Sequence, residues 1–331
     1  MIKKTGWLVW ASFLIPVVLL VLSLNLGSYH IPLKEVWTTI FGGPAAGAPS
    51  PYADILFRIR LPRLLLAMFA GAALSLSGAS LQALFKNPLV FEFSLGISYG
   101  AAFGAALSLV FLGRGFPPQL AAFVFAVLAV LLVLVIAGRS TSQIVPVLLS
   151  GVIVSALFQA LLSLVEFFAN PYALQALIFW LMGSLSQAVW SDLTVTLPVI
   201  GLGAVVLILL RWRLNVLSLG EDEARALGVN VKREKALVIA VATLTTAAAT
   251  SVTGVINWVG LVVPHLVRMM VGADNRKVIP LSAALGASLL IVADDIARGV
   301  ASFEIPIGIL TSVVGIPFFI VLLKRSGKTW L

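Results

Sequence analysis

Residues 236–267 read ALVIAVATLTTAAATSVTGVINWVGLVVPHLV, 32 positions without a charge. A helix needs about 20 mostly apolar residues to cross the hydrocarbon core of a bilayer. The stretch is therefore either one tilted helix or two short ones joined by a turn at Gly254 and Asn257. The choice matters beyond the stretch itself, because one crossing more or less reverses the sidedness of every loop that follows.

Charge-free windows of comparable kind occur at 5–33, 64–85, 93–113, 115–138, 140–165, 167–191, 193–210, 278–293 and 305–323. The window 167–191 carries Asn170, Pro171, Gly183, Ser184, Ser186 and Gln187, which suit a short helix and turn at the membrane surface better than a span. Lys and Arg accumulate in cytoplasmic loops, so their distribution discriminates between the readings. With 167–191 outside and 236–267 split, sixteen of the 22 Lys and Arg fall on the side of both termini and six on the other. One unbroken helix over 236–267 gives eleven on each side; a span at 167–191 together with the split gives five inside and seventeen outside. The expectation is an all-α polytopic membrane protein: ten transmembrane helices, both termini cytoplasmic, and the chain forming a single domain over 1–331. The second half of the split window, Val255–Val267, is short for a crossing and is expected to tilt little or to begin below the surface.

Composition agrees. The chain is 60% apolar and 11% charged, with a mean hydropathy of +1.10, which excludes an ordinary soluble enzyme, a disordered chain and a soluble domain on one anchor. The formal charge of +9 is read through loop charge rather than nucleic-acid binding. There is no Cys, so thiolate chemistry, disulfides and Cys metal sites are excluded. Lys3 and Lys4 before the apolar run Trp7–Leu26 have the look of a signal peptide, but the run is long and no small-x-small site follows; it is read as a retained first span.

Enzyme signatures are sparse. His30 and His265 lack metal-ligand partners at helical spacing, and Gly327, Lys328 and Thr329 imitate the end of a phosphate-binding loop without its first glycine or its strand. Asp294 and Asp295 precede Arg298 by four and three positions, the spacing of helical ion pairs. They are read as an interfacial ion cluster that snorkels to water rather than a proton relay, since no other span carries an acid at matching depth. Arg58, Arg60, Arg63 and Arg298 lie outside, against the positive-inside bias. Two purposes stand level: neutralising Asp54, Asp294, Asp295 and Glu304, or docking an acidic partner through bidentate arginine forks. Gly96, Gly100 and Gly104 form a small-residue ridge for close helix packing.

The segment Arg211–Lys235 holds ten of the charged residues in 25 positions and belongs in water. Ser218 and Glu221 are spaced as a capping box; Glu221, Asp222 and Glu223 load a first turn with negative charge; Gly228 can end the helix. A short cytosolic helix between spans six and seven follows, either a solvated connector or a lever for a cytosolic partner. Leu219, Ala224 and Leu227 supply an apolar contact face for the second.

These residues also carry a likeness. RLPR at 60–63, GAALSLSGASLQALFKNPL at 71–89, GEDEARALGV at 220–229, GLVVPHLVR at 260–268 and EIPIGILTSVVGIPFF at 304–319 together resemble the FecCD-type permeases. These are ten-helix membrane subunits of ABC importers for iron-siderophore complexes, haem and cobalamin, with relatives serving molybdate or tungstate. The likeness spans essentially the whole chain. It implies a multi-pass protein of the cell (inner) membrane that is a transport subunit and not an enzyme. It further implies a homodimer, two ATP-binding subunits that bind ATP and Mg while this chain holds no cofactor, and an external or periplasmic substrate-binding protein.

Residue by residue, the resemblance implies that Arg60, Arg63 and Arg298 meet acids on the binding protein. Leu219, Gly220, Glu221, Asp222, Glu223, Ala224, Arg225, Leu227 and Gly228 match the coupling helix seated in the ATPase. Asn87, Leu89, Thr141 and Ser142 match the cytoplasmic gate. Departures occur at Val90, Phe91, Glu92 and Phe93, where relatives carry a small residue, an acid and a proline, and at Asn257 and Trp258. With FWLMGSL at 179–185 and the Asp294–Asp295 pair they lean slightly toward the branch that includes oxyanion importers. The rival class is a gradient-driven secondary transporter working alone; a third is a structural subunit without a pathway.

Overall fold

The computed structural model describes residues 9, 11–27, 29, 31–41, 51–138, 144–300 and 303–326, and no strand occurs among them. The gate residues Thr141 and Ser142, together with His30 and the 327–329 tripeptide, lie outside the described residues. The helices are α1 (Leu14–Ser23), α2 (Leu33–Phe41), α3 (Leu61–Phe85), α4 (Ile97–Leu107), α5 (Pro118–Ala137), α6 (Ile144–Phe168), α7 (Pro171–Leu181), α8 (Trp190–Leu219), α9 (Glu221–Ala226), α10 (Val231–Thr253), α11 (Val259–Val271), α12 (Asn275–Gly299) and α13 (Ile307–Ser326). A turn at Pro51–Asp54 and six more widely wound residues, Ile55–Arg60, lead directly into α3. Six described helices are long and apolar enough to cross a membrane, including the continuous run Tyr52–Phe85.

The 32-residue window breaks as the two-helix reading requires. α10 ends at Thr253, Gly254 and Trp258 take positive φ of 67° and 71°, and α11 starts at Val259. With 13 residues, α11 is about 20 Å long, short of the roughly 30 Å core. The intervening turn is buried, so its polar backbone needs partners away from water. One is supplied by the turn after α7, where the Ser184 N–H donates to the Thr253 carbonyl at 2.8 Å. The window 167–191 contributes α7, only 11 residues, capped by the Asn170 side chain accepting from the Ala173 N–H at 2.9 Å.

α3 is the hub. Twenty of its 25 residues are buried, and α8, α10, α11 and α12 all pack on it. Small residues permit this, since hydrocarbon tails offer helices no hydrophobic drive to associate and packing must come from close backbone approach. A Cβ at Gly71 would stand 2.2 Å from the Gly286 carbonyl oxygen, and one at Gly78 would stand 2.0 Å from that of Gly260. The second contact layer joins α4 to α5, where Gly100 and Gly104 face the carbonyls of Phe125 and Ala121. Gly96 is not part of that ridge: it precedes α4 with φ of 74°.

Candidate functional site

Two polar assemblies stand out, and the first surrounds α9. At 30 residues, α8 is about 45 Å long and outruns the hydrocarbon core, so its last turns carry Arg211 and Arg213 out of it. Gly220 then breaks the helix and α9 follows for six residues. Its end is closed by Gly228, φ 80°, whose N–H donates to the Arg225 carbonyl while that of Val229 reaches Ala224 at 3.0 Å. The capping box is not formed. Ser218 Oγ donates back to the Asn215 carbonyl within α8, and Gly220 caps α9 without a side chain. The expected apolar face is also divided: Ala224 is fully buried, whereas Leu219 and Leu227 are 64% and 63% exposed. The buried alanine seats α9 on its own chain, and the two leucines remain outward.

Ion pairs fix α9 to its neighbours. Lys235, on α10, donates to Glu221 at 2.6 Å, and Arg225 pairs with Glu221 and Asp222 at 2.9 Å each. The Lys235 hydrogen bond, helped by the charges of Lys235, Arg225 and Lys86, holds the Glu221 carboxyl below its ordinary range. Beside it, Asn215 near the end of α8 donates to Asp274 at 2.7 Å and accepts from the Asn275 N–H at 2.8 Å. Hydrogen bonds from Arg276 and then Asn215 hold Asp274 far below the usual carboxylate range. The charged segment is thus tied to both α10 and the start of α12. At the end of α3, Lys86 adopts φ 50° and Asn87 Oδ1 accepts from the Leu89 N–H at 2.9 Å, which leaves Leu89 half exposed.

The second assembly lies at the start of α3 and the end of α12, and most of it is buried. Arg60, Arg63 and Arg298 are 4%, 5% and 7% exposed. Arg63 pairs with Asp294 at 2.8 Å and Glu304 at 2.7 Å; Arg298 pairs with Asp294 at 2.9 Å and Asp295 at 2.5 Å. Ser23 donates to Asp295, also at 2.5 Å. Arg60 donates to the carbonyls of Leu24 and Tyr29, and Arg298 to that of Leu26. Leu24 is the C-cap of α1, at the negative pole of its dipole, so Arg60 caps the helix there, while Leu26 and Tyr29 belong to the segment that follows. The Asp294 cluster therefore does not snorkel. It is buried, and the arginines neutralise it within the chain. Arg58 alone of the four stands in solvent, paired with Asp54 at 3.0 Å. Among the described residues no group of three or more His, Asp or Glu is placed to hold a metal ion.

The spacing of Asp294, Asp295 and Arg298 foretold part of this cluster. The Asn215–Asp274 tie, the Lys235–Glu221 clip and the pairing of Arg268 with Gln82 escaped sequence reasoning, since no local period relates partners so far apart.

Comparisons with known proteins complete the picture. The ABC transporter permease protein YvrB of Bacillus subtilis is 38% identical, with 98% of this chain and 95% of YvrB covered. The molybdate import system permease protein MolB of Haemophilus influenzae is 37% identical over 95% of both chains, and further matches are named as iron chelatin, hemin and vitamin B12 permeases. A solved inward-facing structure, described as of the metal-chelate ABC transporter type, superposes with a TM-score of 0.85 at 35% identity, covering 96% of this chain and 99% of that one. The FecCD transport family itself matches residues 14–325, and the chain belongs to it.

Proposed function

We propose that this chain is the membrane-spanning permease of a binding-protein-dependent ABC importer. Its cargo is a metal chelate of the iron-siderophore, haem or cobalamin class, or the oxyanions molybdate and tungstate; relatives named for iron chelatin, hemin, cobalamin and molybdate support that range. It works as a homodimer above two ATPase subunits, which bind ATP and Mg, and below an external or periplasmic binding protein. In this reading ten helices, α1, α3, α4, α5, α6, α8, α10, α11, α12 and α13, cross the cell (inner) membrane with both termini cytoplasmic, and the whole chain is one permease domain.

The observation that carries the reading is α9. A six-residue helix is too short to be stable alone, yet it is clipped to α10 by Lys235 and seated through Ala224, with Leu219 and Leu227 turned outward. Such an element transmits displacement from a partner that holds the two leucines. The gate is formed by Asn87 and Leu89 with Thr141 and Ser142. Docking of the binding protein works by exchange. Glu304 is half exposed while its partner Arg63 is buried, so an incoming carboxylate takes the place of Glu304 on Arg63, and Arg60 and Arg298 keep the receiving surface rigid. An ion relay has little support in a cluster whose acids already face two arginines.

The test is reconstitution. Uptake is expected only with ATPase, binding protein and ATP together. Uptake by the chain alone under an ion gradient would establish the secondary transporter instead, and no uptake under either condition would leave a structural subunit.

A further inference from the structure

A cleft of about 780 Å³ opens between α5 and α10 and descends to α9. Its upper walls are apolar: Val127, Leu131 and Leu134 from α5, Ala236, Ile239 and Leu244 from α10. Its lower end is cationic, lined by Arg225, Lys232 and Lys235 against the one acid Glu221. Arg225 and Lys235 already share Glu221, while Lys232 is exposed and has no ion pair among the described residues. Lys86 adds positive potential at Glu221.

We propose that this cleft binds an anionic phospholipid of the cytoplasmic leaflet, with an acyl chain along α5 and α10 and the headgroup phosphate on Lys232, Lys235 and Arg225. The size suits a ligand site, and a basic recess between helices at the cytoplasmic boundary is where anionic headgroups are recognised. Charge complementarity selects the occupant. A soluble anion would leave the walls above it uncovered, and a zwitterionic lipid would leave Lys232 uncompensated. A phosphate on Lys235 and Arg225 competes with Glu221, so the lipid bears on how firmly α9 is clipped. The inference rests on the reading that α5 and α10 cross the membrane with α9 in the cytosol.

The experiment uses the full permease assembled with its ATPase. Native mass spectrometry is run from micelles containing dioleoyl phosphatidylglycerol or dioleoyl phosphatidylcholine, on the unaltered protein, Lys232→Gln and Leu131→Trp. Phosphatidylglycerol is expected to be retained in preference to phosphatidylcholine. Lys232→Gln should reduce its retention about fivefold, the effect of one cation near an anionic surface, and Leu131→Trp should displace it by filling the wall. Equal retention of the two lipids would overturn the proposal, as would a preference that survives both variants or one abolished by inorganic phosphate alone. The chain lacks Cys, so Asp222→Cys is a unique label for sidedness. Cytosolic labelling without lipid preference overturns the lipid site alone, and external labelling overturns the transport reading with it.

Discussion

Arg63 and Asp294, 231 positions apart in the chain, meet through an Nε–Oδ1 contact of 2.8 Å with both side chains buried. Removing one member leaves the other with a single partner, Glu304 for Arg63 or Arg298 for Asp294, in a medium that penalises unpaired charge, at a cost of up to about 3–5 kcal/mol. Arg63→Ala and Asp294→Ala are each expected to lower the thermal midpoint in detergent by several degrees. The apolar pair Arg63→Met with Asp294→Leu should recover most of the loss. Additive losses in the double variant would disprove the coupling.

Exchange docking makes a different demand. Glu304→Gln removes the competitor from Arg63 without disturbing Asp294, so the binding protein is expected to bind several-fold more tightly, with an effect that fades at high salt. Titration of the binding protein against the reconstituted permease measures it. Unchanged affinity would place the docking contacts elsewhere, with Arg58 the first alternative because it is already in solvent.

The proposed coupling through α9 depends on its ends. Gly228 sits at φ 80°, where a side chain costs about 1 kcal/mol or more. Gly228→Val is expected to leave the ATPase bound while transport per ATP hydrolysed falls. Should coupling persist in both Gly228→Val and Lys235→Gln, α9 is only a connector.

The Lys235–Glu221 clip also has a pH signature. Glu221 is held below its ordinary value of 4.5, so the stabilisation it gives is complete above that value and is lost as pH falls through the lower folded one. Hydrogen-exchange protection factors over residues 219–228, corrected for the intrinsic pH dependence of exchange, should not change between pH 6 and 8 and should decline in acid. In Glu221→Gln the part of the acid decline that comes from this clip should vanish, leaving only what Asp222 contributes through Arg225.

Packing around α3 separates two kinds of glycine. Gly71→Val and Gly78→Val press a side chain into the carbonyls of Gly286 and Gly260 and are expected to prevent stable folding, beyond the usual 1–3 kcal/mol of overpacking. Gly201, on α8 with nothing within 4 Å of a Cβ, should accept alanine with a gain of about 0.5–1 kcal/mol. Expression yield and thermal midpoint distinguish the two outcomes.

Much of this architecture was legible because a bilayer constrains it so tightly. Charge-free length marks the helices, and the Gly254 and Asn257 break with the loop-charge count divided the 236–267 window correctly. The short charged helix α9 was legible from ten charges in 25 positions and from Gly228. What failed depends on partners distant in sequence. Ser218 and Glu221 had the spacing of a capping box, but α8 runs on through Ser218 and uses its hydroxyl. Leu219, Ala224 and Leu227 share an apolar character and not a face. Arg60, Arg63 and Arg298 were legible as anomalous cations, but their depth depends on α1, α3 and α12 meeting at one point. Thr141 and Ser142 lie outside the described residues.

The glycine contacts of α3 have a mechanical corollary. A spindle whose neighbours touch it backbone to backbone has no slack for internal sliding, so a push delivered at α9 cannot be dissipated inside the subunit. In the proposed homodimer it emerges at the seam between the two copies, which makes each copy a stiff jaw and the channel a property of the pair.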